Sequence, residues 1–256
     1  MRKNLMLHYV YVLVGIYFVL VTLLYVFQRA LIYFPTSAYQ HNYQRIALEN
    51  DNEKIDIIVL NAGKENGFIY FGGNAEAVIA NAADFTVQFP NQTIYLVNYR
   101  GYGGSTGKPT KSGLFSDAIA IYDHLISRHQ SLAVIGRSLG SGVAMYLAAN
   151  RPVNRLVLIT PYDSVLALAK KQFPLFPISL LLKDQYDSLS LAKDVKAPVL
   201  IIAGDQDTLI PVVHSEKLFN EFGSGIAQMV VIEGAGHNDI SGFDQFYKRM
   251  ICFFEN

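Results

Sequence analysis

Hydrophobic positions along this chain fall into three patterns, and each predicts a different kind of element. Residues 9–27 carry no charged side chain. A helix of that length rises roughly 28 Å, close to the thickness of a hydrocarbon core. The segment is apolar on every side, which separates it from an amphipathic surface helix. Its apolar part is longer than the core of a secretory signal and no Ala-x-Ala site follows it, so the pattern predicts an uncleaved transmembrane anchor within residues 1–30 rather than a leader or a buried core helix.

After a break at Pro35 and Thr36, short apolar runs recur at 55–60, 67–71, 93–98, 132–135, 155–160, 198–203 and 229–233. Runs that are nearly continuously apolar predict strands buried on both faces. Helix-period segments lie between them at 114–128, 140–149, 214–222 and 243–254. This alternation predicts an α/β domain over 31–256, with a mostly parallel central sheet and helices on both faces. The even spacing fails once, at 161–197, a stretch that contains Phe173, Pro174, Leu175, Phe176, Pro177 and Ile178. It reads either as a lid-like insert over a site or as a crossover helix with a proline-broken start.

The length of 256 residues suits one such domain plus the apolar surplus at the start. Removing residues 1–30 is accordingly expected to leave a soluble domain. Arg2, Lys3 and the amino terminus precede the span and Arg29 follows it. That small bias favours a cytoplasmic start and an outward-facing domain, and it leaves the side of the domain open. Twenty-one basic and 21 acidic residues cancel, with no basic block, which argues against a nucleic-acid partner. Six scattered histidines and the single Cys252 give no support for a metal site or a disulfide framework. The glycine-rich run at 101–108 fails as a phosphate loop because Tyr102 stands where the first glycine must be, and Thr106 breaks the dinucleotide spacing. No cofactor is expected.

The run Gly136-Arg137-Ser138-Leu139-Gly140 follows a predicted strand and precedes a predicted helix. That is the setting of a nucleophile elbow, where a sharp turn lifts one hydroxyl out of the sheet and flanking glycines avoid collision. A serine hydroxyl needs a base to take its proton and a third group to orient that base. His237, in a glycine-flanked loop after the last predicted strand, is the candidate base; His124, His129 and His214 fall on or beside predicted helices and are weaker candidates. For the acid, Asp207 follows the strand at 198–203 in the required chain order. Asp205 reads alternatively as a turn-former and Asp163, after the preceding strand, as another acid or a helix cap. Backbone N–H groups of Leu139 and of Asn74, with Ala75 next, are the candidate oxyanion donors.

With these motifs in order, residues 30–256 resemble the α/β-hydrolase superfamily. More narrowly, Phe71 to Ala75, the run Asn98-Tyr99-Arg100-Gly101-Tyr102-Gly103, the elbow, and Gly236-His237-Asn238-Asp239 resemble the membrane-anchored Bem46-like group, which includes the ABHD13 and ABHD17 type proteins. The resemblance implies a triad of Ser138, Asp207 and His237, with Asn74 and Leu139 forming the oxyanion hole. The chain departs from the group at Gly72, where histidine is usual. It also lacks the amino-terminal cysteine cluster that carries palmitoyl anchoring, so the apolar span would take that place. The resulting expectation is a single-pass membrane protein that cleaves an ester or thioester of an acyl or lipid-like small molecule. A serine peptidase of proline-iminopeptidase-like type and a catalytically silent hydrolase-fold binding protein are the alternatives.

Overall fold

The computed structural model describes residues 2–255, without the side chains of Arg2 and Leu5. The part of the expected charge bias that rests on Met1 and the Arg2 side chain therefore lies outside the described residues. In chain order, α1 (Arg2–Ile32) leads to the hairpin β1 (Gln44–Asn50) and β2 (Glu53–Leu60). Then come β3 (Asn66–Phe71), α2 (Ala82–Gln88), β4 (Gln92–Val97), α3 (Lys111–Leu125), β5 (Ser131–Arg137), α4 (Leu139–Asn150) and β6 (Leu156–Ile159). The stretch expected to interrupt the alternation holds α5 (Val165–Gln172), α6 (Ile178–Leu181) and α7 (Ser188–Leu191). The chain closes with β7 (Val199–Gly204), α8 (Val212–Glu221), β8 (Ala227–Ile232) and α9 (Asp244–Glu255).

The strands form one eight-stranded sheet in the order β1-β2-β4-β3-β5-β6-β7-β8. Pairing is parallel from β4 through β8, and antiparallel for β1 with β2 and β2 with β4. In β3, Ile69 and Phe71 join the core on one face while Phe68 and Tyr70 join the core on the other. Both sets are apolar because helices cover both faces, which is why these strands read as continuous runs instead of alternating ones. The first core takes its helical side from α3, α4 and α8, the second from α2 and α9.

β1 has no counterpart among the expected strands. Its sequence QRIALEN alternates exposed and half-buried positions at the edge of the sheet, so it contains no apolar run to detect. The turn into β2 places Asp51 and Asn52 at φ 51° and 61°, and left-handed conformations at both central positions are the signature of a tight hairpin.

α1 is long and apolar enough between Met6 and Ile32 to cross a membrane, with a mean hydropathy of 2.5. Its described side chains through residue 20 are exposed, although Tyr17 stacks on Phe176. Its last turns pack inward: Gln28 is buried, Arg29 pairs with Asp184 at 3.0 Å, and Tyr33, just beyond the helix, is buried too.

Candidate active site

Parallel strands leave β3 in two directions, toward β4 on one side and toward β5 on the other. The loops beyond the carboxyl ends of β3 and β5 therefore diverge and leave a crevice, the place where open α/β sheets bind ligands. Both candidate oxyanion segments and the elbow lie at this crevice.

Ser138 occupies the turn between β5 and α4 at φ 50° and ψ −117°, a left-handed conformation rare for a residue with a β-carbon. The turn is possible because its neighbours are glycines. A Cβ on Gly140 would run into the Phe71 carbonyl and one on Gly136 into the Gly140 carbonyl, both backbone atoms that cannot step aside. Ser138 Oγ lies 2.9 Å from His237 Nε2, and His237 Nδ1 lies 2.7 Å from Asp207 Oδ2. A carboxylate only accepts, so Nδ1 carries the proton toward Asp207 and Nε2 is left to accept from the serine. The other Asp207 oxygen accepts from the Leu209 and Ile210 amides at 2.9 and 2.7 Å, which fixes the carboxylate against rotation. All three side chains are nearly buried.

The other candidates go elsewhere. Asp205 accepts from the Gly234 amide at 2.7 Å, closing the turn between β7 and the His237 loop. Asp163 bonds His214 Nδ1 at 2.8 Å, a second buried Asp–His pair that joins the end of β6 to α8. His124 bonds Arg128, and His129 bonds the Tyr95 hydroxyl.

The loop Gly72 to Ala75 lies against the elbow, since a Cβ on Gly73 would stand 3.8 Å from that of Ser138. Leu139 is the first residue of α4, so its N–H has no acceptor within the helix. Among the described residues neither that N–H nor the backbone N–H of Asn74 donates to a protein acceptor. The tyrosines of the 98–103 motif brace this loop: Tyr99 donates to the Gly72 carbonyl at 2.8 Å and Tyr102 to the Asn74 carbonyl at 2.6 Å. Burial pushes the Tyr102 phenol up to about 12, which keeps it a donor at any ordinary pH.

Three contributors escaped the sequence reading. Glu76 accepts from the Gly73 amide and the Tyr70 hydroxyl, both at 2.7 Å, and pins the loop from beneath. Arg137, the variable residue of the elbow, donates to the His237 and Asn238 carbonyls at 3.2 and 3.3 Å. No pattern in the sequence marks either one. The third is α1: the Asn74 side chain donates to the Ile32 carbonyl at 3.2 Å, and the Phe34 amide donates to the Asn74 carbonyl at 3.0 Å.

Ser138 stands at the base of a cleft of about 500 Å³, a size that suits a small organic ligand. Its lining includes Leu168 of α5, Phe173 just beyond that helix and Leu181 of α6, together with Leu24, Gln28 and Leu31 of α1. Among its described lining residues Lys171 is the one that carries a charge. Among the described residues no cluster of His, Cys, Asp or Glu is grouped as a metal ion would need.

This fold and crevice are those of the α/β hydrolases, and the chain belongs to that family. The family described as the alpha/beta hydrolase fold matches residues 69–178. A Mycobacterium tuberculosis protein that carries the name uncharacterized is 34% identical over 232 residues, 83% of this chain and 81% of that one. The human alpha/beta hydrolase domain-containing protein 17B is 30% identical over 171 residues, 64% of this chain and 56% of that protein. Among solved structures, an esterase of Pyrococcus furiosus superimposes with a TM-score of 0.69 at 18% identity, covering 88% of this chain and 97% of its own.

Proposed function

We propose that the protein is a serine hydrolase that cleaves an ester or thioester of an acyl or lipid-like substrate through an acyl-enzyme on Ser138. The observation that carries this reading is the continuous hydrogen-bonded line from Ser138 Oγ through His237 to Asp207. In the forward step His237 Nε2 takes the serine proton as Oγ attacks the carbonyl carbon. The tetrahedral oxyanion is met by the Leu139 and Asn74 amides, donors already free of other partners and worth a hundredfold or more each in rate. Collapse expels the alcohol or thiol, which receives the proton from His237. Water then enters and attacks the acyl carbonyl as His237 takes its proton; collapse breaks the bond to Ser138 Oγ, which recovers that proton from His237 as the acid leaves.

The apolar cleft supports an acyl group over a peptide. Among its described lining residues there is no carboxylate to receive a peptide amine, and Lys171 would repel one. The helices of 161–197 serve as its cap, and α1 serves as the anchor in the membrane.

A fluorophosphonate probe tests the nucleophile. The folded parent is expected to be labelled at Ser138, and Ser138→Ala to lose both labelling and turnover, the latter by about 10⁴-fold or more. Labelling of Ser138→Ala equal to that of the parent removes Ser138 from the role. A series of esters and thioesters against aminoacyl amides tests the bond, with preference for amides favouring a peptidase.

A further inference from the structure

α1 takes part in the site from inside its own apolar stretch. Leu24, Gln28 and Leu31 follow one another along one helix face and form a wall of the cleft that ends at Ser138. The segment 173–184 runs beside that face. Tyr17 stacks on Phe176 with ring centroids 5.6 Å apart and planes 4° from parallel, and its hydroxyl donates to the Leu175 carbonyl at 3.1 Å. Farther along, the Gln28 amide donates to the Leu181 carbonyl at 3.0 Å and accepts from the Lys183 amide at 2.7 Å.

These contacts fix a depth. If the bilayer ended where the cap first touches α1, the span would have only residues 6–16, roughly 16 Å of helix against a core of about 30 Å. A membrane crossed by α1 therefore also surrounds the cap segment. That segment is built for it: Leu175 and Leu180 are 80% and 84% exposed, an arrangement unfavourable in water and favourable among acyl chains. The Lys183 ammonium, 4.2 Å from the Tyr25 ring centroid, and Arg29 with Asp184 mark where polar groups resume, at the level of the headgroups.

We propose that the cleft opens sideways into the bilayer, with residues 173–182 immersed beside α1. The substrate is then a membrane-resident amphiphile whose acyl chain passes between Leu24 and Phe173 while its ester or thioester rises to Ser138. Leu24 and Leu31 are specificity-determining residues. This rests on the reading of Ser138 as nucleophile, and it adds the source of the substrate, its path and the part of the chain that selects it.

The chain has no tryptophan, so one introduced indole reports alone. In full-length protein reconstituted into phosphatidylcholine vesicles, Leu180→Trp fluorescence is expected to be blue-shifted and to fall by roughly half when the acyl chains carry bromine. Emission like that of indole in water, unaffected by bromine, overturns the immersion. Leu24→Trp is expected to lower the ratio of long-chain to acetyl ester turnover by roughly tenfold. Val26→Trp, which projects from the other side of α1, keeps the parent ratio. An unchanged ratio in Leu24→Trp overturns the selecting role of α1. Fluorophosphonate labelling of each protein separates the two readings. A parent not labelled at Ser138 refutes the nucleophile alone, because the indole measurement needs no turnover.

Discussion

At Ser138 the backbone holds φ 50° and ψ −117°, and such a conformation costs a residue with a β-carbon about 1–3 kcal/mol. The cost is sustained by what surrounds the turn: β5 on one side, α4 on the other, and the Ser138 amide donating to the Ile159 carbonyl of β6 at 2.9 Å. In return the hydroxyl stands clear of the sheet and meets His237. Comparing two inactive variants isolates this strain, since Ser138→Ala and Ser138→Gly both lack the hydroxyl and differ only in the Cβ. Ser138→Gly is expected to be the more stable by about 1–2 kcal/mol in denaturant unfolding, and equal midpoints would mean the elbow stores no strain. The elbow glycines and the order of Ser138, Asp207 and His237 were legible in the sequence because steric and positional demands restrict those residue types. Glu76 and Arg137 were not, because a carboxylate that pins a loop and a guanidinium that steadies the loop after a distant strand can be placed at many positions.

As an element, α1 has two environments that its composition merges into one. Its described side chains through residue 20 are exposed apart from the contact of Tyr17 with Phe176, while Gln28, Arg29 and the following Tyr33 are tied to residues 181–186 of the cap. A boundary after residue 30, as the sequence suggested, cuts through these ties. Asp184 would lose Arg29 and keep the Tyr33 hydroxyl, and the Leu181 carbonyl and Lys183 amide would lose Gln28. Protein lacking residues 1–30 is therefore expected to fold with its sheet intact but with a loosened cap, so that trypsin cuts after Lys183 much sooner than in the full chain while the sheet stays resistant. Equal rates of cutting in both forms would mean that the cap stands without α1. The same difference of scale explains β1, whose half-exposed alternation is visible as a strand only once β2 lies beside it.

Across the whole molecule, aromatic hydroxyls are buried to an unusual extent around the site. Burial raises the phenols of Tyr70, Tyr99, Tyr162 and Tyr186 well above their ordinary value, desolvation being the largest cause in each. A folded-state value above the unfolded one means that the neutral phenol is favoured in the native state. The associated stability is fully present below the unfolded value near 10 and is lost as pH rises toward the folded values. The protein is thus expected to unfold cooperatively on the alkaline side, with part of the phenolate absorbance appearing only in the same step as the loss of the near-ultraviolet circular dichroism. Phenolate absorbance that reached completion while that dichroism persisted would show these tyrosines accessible in the native state.

The sequence by itself determined the α/β architecture, seven of the eight strands in register with apolar runs, an apolar helix long enough to span a membrane, and a serine at a turn that only flanking glycines permit. Those features are local: a buried strand must be apolar and a tight turn must lack side chains, whatever lies elsewhere in the chain. Tertiary structure alone decided that Tyr99 and Tyr102 brace the loop at Gly72 to Ala75, and that Leu24 and Leu31 face a cleft while Val26 does not. Each of these depends on residues tens to more than a hundred positions apart arriving at one sheet edge. An apolar helix also looks the same in sequence whether its leucines face lipid or the cap, since hydrocarbon surrounds them in either case.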